Sequence, residues 1–205
     1  MKYPILEFSN TDFGSFVKQW SSFYNYKYPS DKNVKDYYED YIRKPELNEE
    51  SLIKLYEWKN GTPLSGNNEN GEHQRKFKGL NNNILEQIYV INELKKNFKL
   101  DVFSSKFEKV SFVWKVFLLH IIQPDNYPIY DQHVHRAYLY LQGNIDFKNV
   151  ENKMSARKKE NFYIEQYCPF IKKMTDDYPF SIRDLDKAFF SFGQFLKKYK
   201  VDLIE

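Results

Sequence analysis

Apolar residues along this chain recur at spacings of three and four far more often than at alternate positions, which is the signature of helix rather than strand. TDFGSFVKQWSSFY opens after a Thr or Asp able to cap it, and SDKNVKDYYEDYIRK has its own cap and stops before Pro45. NEESLIKLYEWKNG carries acidic residues in its first turn, apolar ones at Leu52, Ile53, Leu55, Tyr56 and Trp58, and Gly61 as a stop. ILEQIYVINELKKN puts Ile84, Leu85, Ile88, Ile91 and Leu94 on one face. A second apolar helix is predicted over about Val110 to Ile122. QPDNYPIY breaks it, and Asp131 opens another that runs to about Leu141, where Gly143 can end it. Two last helices follow, in ARKKENFYIEQYCPFIKKM, which Pro169 bends or splits, and in SIRDLDKAFFSFGQFLKKYK. The expected class is all-α.

Between the third and fourth of these lies TPLSGNNENGEHQRKFKGLNNN, residues 62–83. Rich in Gly, Asn and charge, it reads as a flexible polar loop. It is too long for a tight connection, and its second half is basic, so Arg75 and Lys76 are candidate phosphate contacts. No repeat divides the 205 residues, a length that suits a single functional unit.

Composition narrows the class. Hydrophobic residues at 41% and charged residues at 29% fit a globular, water-exposed protein. The longest apolar run, FVWKVFLLHII, is interrupted by Lys115 and His120 and falls short of a bilayer span, so no membrane helix is expected. MKYPILEFSNTDFGSF lacks the features of a secretory signal, and Cys168 is the sole cysteine, so a reducing cytoplasm is the expected setting. One thiol excludes an internal disulfide, an all-cysteine zinc site and a cysteine-ligated iron–sulfur cluster; no cofactor is expected. Net charge is only +3, but ENKMSARKKE, FLKKYKVD and EHQRKFKG are locally basic, and aromatic content is 19%. Basic surface with interleaved rings suits single-stranded or flipped-base nucleic acid, although most of those rings belong to a core.

The chemistry concentrates in YPIYDQHVHRAYLYL. Asp131 at a helix start is fully explained as an N-cap, and a catalytic carboxylate can cap as well. The spacing Asp131, His133, His135 would suit a metal on a strand, where alternate positions share a face, but a helix separates them, so no metal is expected. If Phe112 to Ile122 is helical, Lys115 lies roughly 10 Å back from its end. Residues 123–130, mostly extended, span up to about 26 Å, enough to bring Asp131 near Lys115. A lysine on an amphipathic helix otherwise snorkels to solvent, and His120 reads as a hydrogen-bonded core histidine.

These residues resemble the helix-hairpin-helix DNA glycosylases, the superfamily of endonuclease III, adenine glycosylase and 8-oxoguanine glycosylase. There a Gly/Pro-rich loop leads into a helix that begins with a catalytic aspartate and often reads Asp-x-His-aliphatic-x-Arg, matched here by Asp131, His133, Val134 and Arg136. VWKVFLLHII is similar to the second helix of the hairpin, and Lys115 falls near the Schiff-base lysine of bifunctional members. The resemblance covers about residues 84–142. It implies a two-lobed helical bundle without an iron–sulfur cluster, a DNA partner presented as duplex with a flipped base or as single strand, and excision of a damaged or modified base in repair or in defence against foreign DNA. Asp131 would stabilise charge at the sugar, with Lys115 as optional nucleophile. Trp114 and Tyr130 would stack on the base, and His133 and Arg136 would contact phosphate or support the fold. The hairpin itself reads KVSFV, without either glycine of the family pattern, which keeps open a non-catalytic nucleic-acid-binding or protein-interaction domain descended from the same fold.

Overall fold

The computed structural model describes residues 11–24, 38–61, 63–64, 72–144 and 155–199, and among these it contains helices and no strand. None of the helices is long and apolar enough to cross a membrane. By contact the chain divides into two compact units. One comprises Met1–Tyr24, Asp131–Asn152 and Ile171–Glu205; the other comprises Asn25–Tyr130 and Lys153–Phe170.

The first unit is built on α1 (Phe13–Ser22), α8 (Gln132–Leu141) and α11 (Ile182–Tyr199), with α11 packed against both of the others. Asp12 caps α1 by accepting the Ser15 amide at 3.0 Å. Phe16 meets Phe192 edge-on at 5.2 Å, and Val17, Leu185, Ala188 and Phe189 complete a buried seam. Gly143, at φ 67°, ends α8 in the left-handed conformation that glycine tolerates, and the Asn144 amide reaches back to the Leu139 carbonyl at 2.9 Å.

The second unit holds α2 (Tyr38–Tyr41), α3 (Glu49–Asn60), α4 (Glu72–Asn83), α5 (Ile88–Lys96), α6 (Leu100–Lys106), α7 (Phe112–Ile122) and α9 (Ala156–Phe162). Its α3 starts on a reciprocal capping box between Asn48 and Ser51 and stops at Gly61, φ 72°. Every residue of α7 from Val116 to Ile122 is buried, as expected of a helix that is apolar on almost every face. His120 lies inside that run. Its Nδ1 is 2.7 Å from the Tyr127 carbonyl, which can only accept, so Nδ1 carries the proton and Nε2 accepts from the Tyr38 hydroxyl at 2.6 Å.

Four elements depart from the sequence expectation. The polar stretch 62–83 is not a loop throughout, because its second half is α4; residues 62 and 65–71 lie outside the described residues. Leu80 is fully buried and Phe77 half-buried, with Ile84 buried just beyond, so three apolar residues at helical spacing seat a segment whose other positions are polar. ILEQIYVINELKKN is not one helix: Ile84 breaks the geometry at φ −130°, ψ −57°, a 3₁₀ turn spans Leu85–Gln87, and α5 follows. The short α6, seated by the buried Phe103, has no periodic pattern long enough to announce it. Finally, the helix containing Pro169 is neither split nor ended by it. It runs α9, a π-helical turn at Tyr163–Tyr167, then α10 (Cys168–Asp177). Proline has no amide proton for the carbonyl four residues earlier and crowds it; the wider turn just before Pro169 absorbs that misfit.

Candidate functional site

The segment that precedes Asp131 is anchored within the second unit. The Tyr163 hydroxyl donates to the Pro128 carbonyl at 2.8 Å, and the His120 ring holds Tyr127. Asp131 then takes an extended backbone, φ −152°, ψ −176°, and its Oδ1 accepts the amides of His133 at 2.8 Å and Val134 at 3.0 Å. The carboxylate is thereby fixed at the positive end of α8 and remains partly exposed.

Arg136 and His133 stand beside it in the same unit. The Arg136 guanidinium is buried at 3% exposure, and its Nη1 donates at 3.4 Å both to the Gly193 carbonyl on α11 and to His133 Nδ1. The His133 ring meets Phe190 edge-on at 5.3 Å. Burial pushes the His133 imidazole below its ordinary value, opposed by the Asp131 carboxylate and reinforced by Arg136. Of the two roles expected of Arg136, phosphate contact and support of the fold, a side chain at 3% exposure bonded to a neighbouring helix fits support, bracing the start of α8.

α8 and α11 approach unusually closely at this point. A Cβ added to Gly193 would lie 1.9 Å from the His133 carbonyl oxygen, so only glycine lets the first turn of α8 rest on α11. Sequence reasoning passed over Gly193, although a lone glycine inside the amphipathic SFGQF pattern is a signal of close packing.

The other candidates belong to the second unit. Lys115 is 13% exposed, and its Nζ donates to Glu160 Oε1 at 2.9 Å across from α7 to α9. The pair lines a hollow of about 70 Å³ whose other walls are mainly apolar, including Phe103, Phe112 and Leu119. That is well below the ~300–1,000 Å³ of ordinary ligand pockets. Glu160, in the basic run ARKKEN, gave no local sign of this role. Tyr130 is 5% exposed and ringed by Phe112, Phe162, Tyr163 and Tyr167 at 5.4–6.0 Å. Its expected part in base stacking is therefore corrected to core packing, the whole run Pro128–Tyr130 being buried.

Trp114, one position before Lys115, faces a different hollow of about 350 Å³ shared with Lys76 and Lys109. Lys76 also donates to Asn60 Oδ1 at 3.1 Å, and Arg75, one position earlier on α4, is exposed. The structure thus groups Asp131 with His133 and Arg136 in one unit and Trp114 with Lys76 in the other. His133 and His135 are two apart on a helix and diverge, and no group of three His, Cys, Asp or Glu suited to a metal ion occurs among the described residues.

No protein-family model, curated protein or solved structure matches this chain.

Proposed function

We propose that this chain is a DNA glycosylase-like enzyme that hydrolyses the bond between sugar and a damaged or modified base, with Asp131 as its catalytic carboxylate. The observation that supports the reading is the attachment of that side chain: two backbone amides hold one oxygen of a partly exposed carboxylate at the head of α8. A fixed negative charge stabilises the positive charge that builds on the sugar as the base departs, with no reorganisation needed at that moment. In the step, the bond from C1′ to the base nitrogen breaks and its electron pair leaves with the base. A water oxygen bonds to C1′, and the water proton passes to Asp131 or to solvent. Water suits the role better than Lys115, whose amine is engaged by Glu160 in a hollow too small for a nucleotide. The competing reading, nucleic-acid binding without chemistry, draws on the absence of glycine from KVSFV.

The deciding experiment measures base release by mass spectrometry on DNAs carrying different modified bases, for wild type, Asp131→Asn and Lys115→Ala, with borohydride trapping alongside. Asn accepts the same two amides, so Asp131→Asn keeps the cap while removing the charge. The expected result is release without a trapped adduct, slowed about a hundredfold or more by Asp131→Asn at unchanged melting temperature. Full activity in Asp131→Asn sinks the assignment. An adduct that disappears with Lys115→Ala transfers the nucleophile's role to that lysine.

A further inference from the structure

The larger hollow stands independently of Asp131. Its walls are α4 and the turn that leads into α7, and six of its lining residues carry the argument: Lys76, Gly79, Asn83, Lys109, Ser111 and Trp114. At about 350 Å³ it falls within the ~300–1,000 Å³ of small-molecule sites. Two lysines and no carboxylate line it, so its chemistry favours an anion. Two neutral polar side chains, Asn83 and Ser111, add hydrogen-bonding capacity.

Trp114 is a prepared surface and not merely a passing one. The fully buried Tyr56 packs against its ring at 5.0 Å, and the Tyr56 hydroxyl donates to the Trp114 carbonyl at 3.0 Å, which fixes both ring and backbone. A fixed ring in a hollow also lined by two lysines suits a ligand that is flat and aromatic at one end and anionic at the other. We propose that this hollow binds a single nucleotide unit, its base against Trp114 and its phosphate between Lys76 and Lys109. Free nucleoside monophosphates and the 5′-phosphorylated end of a strand share that chemistry.

Gly79 supplies a clean test. It sits inside α4, and a Cβ added there meets nothing within 4 Å, so Gly79→Leu extends into open space in the hollow while improving helix propensity. Lys109 is exposed, and Lys109→Glu reverses charge without disturbing packing. The measurement is calorimetric titration of the full chain with the four ribonucleoside and four deoxyribonucleoside monophosphates, a 5′-phosphorylated tetranucleotide, the matching nucleosides and inorganic phosphate. The expected result is nucleotide binding weakened about tenfold or more by Gly79→Leu, by Lys109→Glu and by Trp114→Leu, with nucleoside and phosphate alone each bound more weakly than the nucleotide. Binding of mononucleotides identifies a free ligand; binding confined to the tetranucleotide identifies a strand end. The proposal is overturned if none of these binds, if nucleoside or phosphate alone binds as tightly as nucleotide, or if Gly79→Leu and Lys109→Glu leave affinity unchanged.

Discussion

His133 and Lys95 are both held where burial opposes their charged forms, and each ties stability to pH in a direction that can be worked out. Lys95 donates to the Ile121 carbonyl at 2.9 Å and the Ile42 carbonyl at 3.4 Å, and burial, with Arg43 adding to it, pushes its amine down to about 8. In the unfolded chain the same amine titrates near 10.5. Below about 8 both states are protonated and the cost of burying the charge is fully present; between those values the folded state binds fewer protons, so stability rises with pH. Urea unfolding at pH 7, 8.5 and 10 is expected to show that rise, diminished in Lys95→Met. For His133 the window lies lower, between its depressed value and about 6.5. Acidification through that window is expected to cost stability, in a manner that His133→Asn reduces, with Asp131, Arg136 and Lys197 as the charges acting on the ring. At this scale the sequence was informative where chemistry is local. Asp131 as a cap, His120 as a bonded core histidine and Gly143 as a stop all follow from neighbours within a few residues. The burial of Tyr130 and Arg136 depends on which elements come to cover them, and no short stretch encodes that.

Among the elements, α8 depends on α11 through a single missing side chain. Gly193→Ala gains about 1 kcal/mol of helix propensity but drives a methyl group into the His133 backbone, and overpacking of that kind costs about 1–3 kcal/mol or more where backbone must move. A net fall in melting temperature is expected. Because the clash lies at the residue whose amide Asp131 accepts, base release on the proposed substrate should fall with it. By contrast Asp131→Ala, which removes the cap outright, is expected to cost about 1 kcal/mol, while Asp131→Asn costs almost none. Denaturant titration of the three variants separates these outcomes. Helices with a long apolar stripe and a visible cap were legible in advance, as α3 and α8 illustrate. The helix α4 was hidden because its two apolar residues, Phe77 and Leu80, stand among ten others that give composition the louder voice. The π turn was hidden because Pro169 announces a disturbance without saying which geometry relieves it.

On the scale of the whole molecule, helical character was readable from periodicity and two lobes from the resemblance, whereas the bounds of the two units were not, because neither unit is continuous in sequence. One takes residues from three separate stretches and the other from two. The boundary between Tyr130 and Asp131 cuts through YPIYDQHVHRAYLYL, the stretch with the most legible chemistry. The pairing of α1 with α11 has a further consequence, which concerns time. These helices lie about as far apart along the sequence as any two in the described chain, yet Phe16 and Trp20 of the first find their ring partners Phe189, Phe192 and Phe195 on the last. Synthesis proceeds at roughly 5–20 residues per second, so the emerging chain carries an unsheltered aromatic helix for about ten seconds or more before its partner leaves the ribosome. During that interval Phe13, Phe16 and Trp20 lack their ring partners on α11, and nascent chains stalled before Ile182 are expected to recruit more chaperone than the full chain, as co-purification of stalled ribosome complexes would show.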